Sequence, residues 1–522
     1  MYISLIICIS LLLFNQLLLF VQSRFTMASS DHWYHFGLIK GIRKSGHRFL
    51  NGYPYILGET NFAYPQFFHW ILSFFPTTFI EKKYHYVGQV VNQIALTAFL
   101  IFVLLVFPSL KLAVGINYCL LISGLFYILQ PFNFAIWNAK NTGLSARGVG
   151  VLFSALYLYF LSGYLINHNF LFFVLTAFVS FLVVISSVFA FQFLLFSSIL
   201  LAALFLQPVI LVFPIAAILI FYIHMPTIAR NFLVGQYWMK YTYAKYLTEI
   251  FLVRFRRSIW RDWIWDIWVK WKTTDSKKMY QYIYMNSLTS LVYGFPLLWI
   301  IAWNYSDAFM LQNRWWFYPV IASTILFFLT AFRQLRFLGE AERYIEMTTP
   351  LIAIGGTILI INSISLVIWV LTFCIVLYIV QMVLLFFQGK YAPDDGSDAK
   401  QIKKLIEKID HSPAKKIFSN STIFMKFFHD EWYLPLIPCQ YNLYTGSLRY
   451  NELFDDACEY LATDKIEMLA QEFNITYFIH DEKALTIPIE KFFTTKNINP
   501  ALFGKVDHYT IYKLNYTAKS DE

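Results

Sequence analysis

Charge is scarce in this chain. Only 14% of its 522 residues are Asp, Glu, Lys or Arg, where a soluble protein carries about 25%. With 58% hydrophobic residues, 20% aromatic residues and a mean hydropathy of +0.53, the composition is that of an integral membrane protein. Cysteine is equally sparse. The five cysteines, Cys8, Cys119, Cys374, Cys439 and Cys458, form no CxxC and no zinc spacing, which excludes zinc-module and thioredoxin-type chemistry. The first three fall in hydrophobic runs and read as small buried apolar residues. Cys439 and Cys458 lie in the tail and pair only if it faces an oxidising compartment. No glycine-rich phosphate loop and no nucleophile elbow occurs. No internal repeat occurs either, which argues against a repeat-built transporter. No Lys or Arg precedes the first apolar run. The basic start of a secretory signal is therefore missing, and a retained first helix is expected rather than cleavage near Ala28-Ser29.

Long apolar runs are abundant. They recur at about 3–21, 87–107, 113–131, 148–165, 169–186, 188–206, 208–225, 287–304, 315–331, 349–363 and 365–388. These predict an all-α polytopic membrane protein of about eleven transmembrane helices, with the block 169–225 holding two or three. After Gln388-Gly389-Lys390 the composition becomes that of a small soluble domain, so residues 1–388 and 389–522 are expected to be separate units. In the tail, Lys400–Lys408 and Asp464–Phe473 read as helices, and Lys415–Met425, Thr476–His480 and Tyr509–Leu514 as short strands. A small C-terminal α/β domain is expected.

The charge is distributed unevenly. Residues 1–388 hold 25 Lys and Arg against 11 Asp and Glu, and the tail holds 16 against 20. Alternating the spans puts segments 22–86, 132–147, 226–286, 332–348 and the tail on one face. That face receives 23 of the 25 basic residues, leaving Lys111 and Arg314 on the other. The positive-inside rule makes such a face cytoplasmic, but the rule weakens in loops of about sixty residues. The rival reading is a working face that grips phosphate-bearing lipid.

Segment 22–86 carries Asp31 within Ser29-Ser30-Asp31-His32-Trp33-Tyr34-His35, just beyond the first apolar run. With Ser29 or Ser30 as N-cap, residues 31–44 read as an amphipathic helix ending at Lys44-Ser45-Gly46. Asp31 falls in its first turn, where the helix dipole favours the ionised carboxylate of a general base. A plain capping role is the other reading. Glu59 is the second carboxylate of the segment, either a supporting group or a solvated loop residue. His32, His35, His47 and His69 offer ring nitrogens without HxxxH spacing. If a divalent cation, Mg²⁺ or Mn²⁺, is held here, Asp31, His32 and Glu59 are the candidate ligands. Segment 132–147 ends with Arg147 at the lip of a helix, placed for phosphate or for snorkelling. Segment 226–286 interleaves Arg254, Arg256, Arg257 and Arg261 with Trp260, Trp263, Trp265 and Trp268, as helices lying in the headgroup layer do. Nucleic acid is not an expected partner. Segment 332–348 packs Arg336, Glu340, Glu342, Arg343 and Tyr344 beside two spans, either an ordered site or an interfacial salt-bridge cluster.

Taken together these segments resemble the GT-C superfamily of polytopic glycosyltransferases, bacterial type, that use polyprenyl- or dolichyl-phosphate-linked sugars. Asp31-His32-Trp33-Tyr34-His35 matches the acidic element of the family's first external loop, and Tyr64-Pro65-Gln66-Phe67-Phe68-His69-Trp70 looks like the end of that loop. Leu144-Ser145-Ala146-Arg147-Gly148 looks like its Ser-x-Arg segment, and Arg336 to Tyr344 like its late external loop. The chain lacks the Asp-Asp, Asp-Glu or Asp-x-Asp pair of some members. The resemblance implies sugar transfer with inversion from a polyprenyl-phosphate donor to a glycolipid, polysaccharide or protein acceptor. Asp31 would be the general base, and Arg147, Arg336 and Arg343 would neutralise the lipid phosphate. His35, Glu59, His69, Glu340 and Tyr344 are supporting candidates. It also implies a bacterial plasma-membrane protein whose working face and tail are extracytoplasmic. Two alternatives are an envelope-polysaccharide ligase or polymerase using an oligosaccharide-diphospholipid, and a non-enzymatic lipid or solute transporter.

Overall fold

The computed structural model describes residues 2–25, 30–52, 64–106, 115–131, 143–245, 291–292, 294–303, 307–330, 332–390, 397–410, 416–419, 463–482, 493 and 498–516. Within them the chain is helical up to the tail. The helices are α1 (Tyr2–Phe25), α2 (Ser30–Lys44), α3 (Phe67–Ser73), α4 (Thr77–Val106), α5 (Ile116–Ile128), α6 (Ala146–Asn167), α7 (Phe170–Ser186), α8 (Val188–Phe205), α9 (Val212–His224) and α10 (Pro226–Lys245). They continue with α11 (Pro296–Trp303), α12 (Asp307–Leu329), α13 (Ala341–Ile360) and α14 (Ile364–Lys390). Short 3₁₀ turns occupy Pro208–Leu211 and Arg333–Leu338. Among the described residues each apolar run read from the sequence overlaps one of these helices, the run 287–304 only over Pro296–Trp303, because a backbone in hydrocarbon must satisfy its own hydrogen bonds.

Five helices among the described residues are long and apolar enough to cross a bilayer: Tyr2–Ser23, Thr77–Val106, Ala146–Asn167, Val188–Phe205 and Ile364–Val383. Ile116–Ile128, Phe170–Ser186 and Pro208–His224 are shorter and equally apolar. The block 169–225 thus holds three helices. The protein is an integral membrane protein. Burial separates the lipid-facing helices from the central ones: 22% of the apolar window is buried in α1 and α14, against 67% in α6. The exposed Ile368, Trp369, Phe373 and Ile379 of α14 make physical sense only against lipid.

With no hydrophobic force between helices in lipid, polar ladders and small residues hold the bundle. Asn15 donates to Asn92 (2.9 Å) and Gln16 to Gln89 (2.8 Å) between α1 and α4, and Ser123 donates to Thr357 (3.1 Å) between α5 and α13. Gly355 on α13 leaves the space that the fully buried Trp316 ring of α12 fills, and any Cβ there would collide with it. Sharp starts and stops come from caps. Ser145 accepts from the Arg147 N–H (3.2 Å) at the start of α6, and left-handed His168 (φ 50°) ends it.

The tail forms the expected small α/β unit. Helix α15 (Ser397–Ile409) and α16 (Thr463–Phe473) accompany a four-stranded sheet of order β1-β2-β4-β3, from β1 (Ile417–Ser419), β2 (Tyr477–Asp481), β3 (Ile498–Val506) and β4 (Tyr509–Tyr516). β1 and β2 are parallel, and β3–β4 is a hairpin with an irregularity between Leu502 and Gly504. Ile402 and Ile406 of α15 pack with Ile417, Tyr477, Ile479 and Ile511 in its core. β3 was not expected from the sequence, since Asn499, Pro500 and Gly504 break its strand pattern. The rest of 420–425, together with Cys439 and Cys458, lies outside the described residues.

Candidate active site

α2 follows directly on the first membrane helix, with only residues 26–29 between them. Asp31 stands in its first turn, and the Asp31 side chain lies outside the described residues. From His32 to Ile39 every residue of α2 is buried. The helix is thus less two-faced than its sequence predicts. Tyr34, Leu38 and Ile42 pack into the main core, while Trp33, Phe36 and Ile39 pack with Phe68, Leu72 and Leu144. Only its basic end emerges: Arg43 and Lys44 are exposed, and Arg43 donates to the Phe75 carbonyl (2.7 Å). An aromatic helix wedged on both sides is a rigid support for its first turn.

Two histidines fix α2 to its neighbours. His32 Nδ1 accepts the Leu144 backbone N–H (3.0 Å), tying α2 to the lead into α6. That bond uses the Nδ1 lone pair and leaves the ring proton on Nε2. His32 Nδ1 is therefore not free to hold a divalent cation. Glu59 lies outside the described residues. His35 Nδ1 meets His69 Nε2 of α3 at 2.8 Å. Burial drives His35 down to about 3, and it holds His69 well below its ordinary value, with His35 itself a second cause. Both shifts favour the neutral ring.

A second group gathers where α6 begins and α13 begins. Arg147 donates from Nε to Glu346 Oε2 (2.9 Å), and its Nη2 reaches the same oxygen. Arg343 donates from Nε to Glu340 (2.5 Å), and its Nη1 lies 3.7 Å from Glu346 Oε2. The Arg343 guanidinium sits over the Phe189 ring at 4.9 Å, and its buried Nη1 makes no hydrogen bond among the described residues. Tyr344 donates to the Leu338 carbonyl (2.6 Å), which also accepts from Lys240 of α10 (2.9 Å). Gly339 (φ 98°) makes the turn between them, and Lys240 and Gln192 close over it. Burial lowers the Lys240 ammonium well below its ordinary value, and Glu340 opposes that. The Arg336 side chain lies outside the described residues, as do the Arg and Trp residues of 254–268.

Of the residues expected from the sequence, the structure brings His35 to His69, and Arg147, Glu340, Arg343 and Tyr344 to one wall. Glu346 and Lys240 were missed. Glu346 carried a signal: an acidic residue at the edge of the apolar run 349–363 needs a partner or a role. Lys240 carried none, since α10 is mixed in composition. Among the described residues, the three groups close enough to share a metal ion are Asp398, Asp507 and His508, all in the tail.

A scan against protein-family models finds no match, and neither does a search of the curated proteins. Solved structures do match. The chain is similar to ArnT from Cupriavidus metallidurans bound to undecaprenyl phosphate, at 9% identity and a TM-score of 0.54, over 98% of both chains. It is also similar to the apo state of ArnT from that organism, at 10% identity and a TM-score of 0.51, over 96% of this chain and 97% of that one. This chain has the GT-C fold. The GT-C match runs from the first membrane helix through the tail, so the bundle and the small sheet belong to one architecture shared end to end.

Proposed function

We propose that this GT-C-fold protein is an inverting membrane glycosyltransferase that takes a sugar from a polyprenyl-phosphate donor. The acceptor is a hydroxyl on a glycolipid, polysaccharide or protein. The observation that carries the reading is the similarity, over 98% of both chains, to an ArnT structure holding undecaprenyl phosphate. The acceptor oxygen bonds to the anomeric carbon as the bond to the lipid phosphate breaks. Asp31 takes the hydroxyl proton, and the lipid leaves as a phosphate anion. Asp31 is suited to this by its place in the first turn of α2, where a helix dipole favours the ionised form.

Arg343 is proposed to meet the departing phosphate, because its Nη1 makes no hydrogen bond among the described residues and has only Glu346 Oε2 nearby, at 3.7 Å. Arg336 is a second candidate from the 3₁₀ turn. Arg147 already spends two donors on Glu346, so its proposed part is to hold the carboxylate beside Arg343. In this reading residues 1–388 form the transferase domain. Residues 389–522 form an extracytoplasmic domain on the same side of a bacterial plasma membrane. Membrane lipids are partners and nucleic acid is not.

The test is thermal unfolding of the purified full chain with undecaprenyl phosphate or undecaprenol. Undecaprenyl phosphate at a hundredfold excess over its Kd is expected to stabilise by about 2.7 kcal/mol, with undecaprenol far weaker. Arg343→Gln is expected to weaken the phosphate effect about tenfold in Kd. Equal stabilisation by the two lipids, or none by either, would overturn the reading.

A further inference from the structure

The carbonyl oxygen of Leu338 has two lone pairs, and both are taken. Tyr344 Oη donates to it at 2.6 Å and Lys240 Nζ at 2.9 Å. The three residues come from different elements: Leu338 ends the 3₁₀ turn, Tyr344 lies near the start of α13, and Lys240 lies late in α10. Leu338 and Tyr344 are buried, so a carbonyl stripped of its donors here is costly. Among the described residues that oxygen is the one hydrogen-bond acceptor of the Lys240 ammonium.

One face of α8 beds this arrangement. Phe189, Gln192 and Phe196 are spaced three and four residues apart, which puts them on one side of the helix. The Phe189 ring lies under the Arg343 guanidinium at 4.9 Å, and the Phe196 ring lies 5.8 Å from Lys240 Nζ. Between them, Gln192 Oε1 and Lys240 Nζ crowd Gly339, where an added Cβ would stand 3.1 Å from each. The turn at Gly339 leads straight into Glu340, whose carboxylate accepts from Arg343 Nε (2.5 Å) and whose carbonyl accepts the Arg343 backbone N–H (3.3 Å). The direction of Arg343 thus depends on where Glu340 stands, and Glu340 depends on the held carbonyl.

We propose that Lys240 is a positioning residue: it holds the Leu338 carbonyl so that the Gly339 turn sets Glu340, and through it the Arg343 guanidinium, toward the donor phosphate. Lys240 itself does not touch the phosphate. Its point charge is spent on a main-chain oxygen, while the Glu340 carboxylate goes to the guanidinium fork of Arg343. The consequence is that affinity for a phosphate-bearing lipid is set in part by a residue of α10 that makes no contact with it. This inference rests on the phosphate-binding reading of Arg343 above. The first part of its test does not.

The first measurement is amide hydrogen exchange of the purified full chain, read by mass spectrometry over residues 338–346. Exchange there is expected to be about tenfold faster in Lys240→Met and Tyr344→Phe, and close to wild type in Lys240→Arg, whose guanidinium also donates to a carbonyl. Exchange over Ile116–Ile128 of α5 is expected to stay the same in all three. Wild-type exchange over 338–346 in Lys240→Met, or in Tyr344→Phe if Lys240→Met does not fold, would overturn the inference. The second measurement is binding of undecaprenyl phosphate and undecaprenol to the same proteins. Lys240→Met is expected to weaken undecaprenyl phosphate about tenfold in Kd, to leave undecaprenol unchanged, and to add nothing to Arg343→Gln in the double variant. An additive loss in the double variant would make Lys240 a phosphate ligand in its own right and overturn the inference. So would equal losses for the two lipids. Should the wild type show no preference for undecaprenyl phosphate, the transfer reading would fall, and the exchange result alone would decide the positioning.

Discussion

Arg147, two residues after the cap of α6, is paired with Glu346 of α13 across 199 positions of sequence, with 8% and 0% of the side chains exposed. Desolvation makes such a pair weak evidence for stability, yet losing one partner strands a charge in the interior. Arg147→Met or Glu346→Leu alone is expected to cost about 3–5 kcal/mol in denaturant unfolding, while the double variant recovers most of the loss. Single-variant losses below about 1 kcal/mol would mean that the two charges are solvated and do not organise this wall.

The buried histidines give stability a pH dependence. Burial lowers both, so above about pH 6.5, the ordinary value, folded and unfolded chains carry the same protons there. As the pH falls, the unfolded chain takes up protons that the folded chain refuses, His35 until about pH 3. Stability is thus full above about 6.5 and falls below it, by up to about 2.7 kcal/mol per pH unit while both stay neutral. Unfolding between pH 7 and pH 5 is expected to be flatter in the His35→Gln, His69→Gln double variant. Identical slopes would contradict the buried neutral pair.

Sidedness follows from the proposed function. Cys439 or Cys458, after mild reduction, is expected to react with a membrane-impermeant thiol reagent in intact cells. Cys8, Cys119 and Cys374 are free and at least partly buried, so they contribute little background. Labelling only after lysis, with folding controlled, would put the basic face in the cytoplasm and remove the extracytoplasmic site.

Much of the architecture was legible because membrane burial writes itself into composition. The run 170–186 or 188–205 has one structural solution in hydrocarbon, and the helix starting at Ser30 was marked by small polar residues before an aromatic stretch. The site was legible in part. His35 and His69 could be named, but their contact spans 34 residues and no periodicity encodes it. Arg147 read as a free cation at a helix lip, because its partner Glu346 comes from a helix nearly two hundred residues away. Lys240 left no trace at all, since only the left-handed turn at Gly339 brings the Leu338 carbonyl to its ammonium. The strand 498–506 was hidden by Pro500 and Gly504, which the pairing with 509–516 tolerates at the sheet edge.

The central claim is that Asp31 removes a proton from an acceptor attacking a lipid-phosphate sugar. The most direct test is transfer from radiolabelled undecaprenyl-phosphate sugars by wild type and Asp31→Asn in proteoliposomes, with unfolding and undecaprenyl phosphate binding measured on both proteins. The account predicts that Asp31→Asn folds and binds the lipid normally while turnover falls by about a hundredfold or more. Wild-type turnover in Asp31→Asn would contradict it.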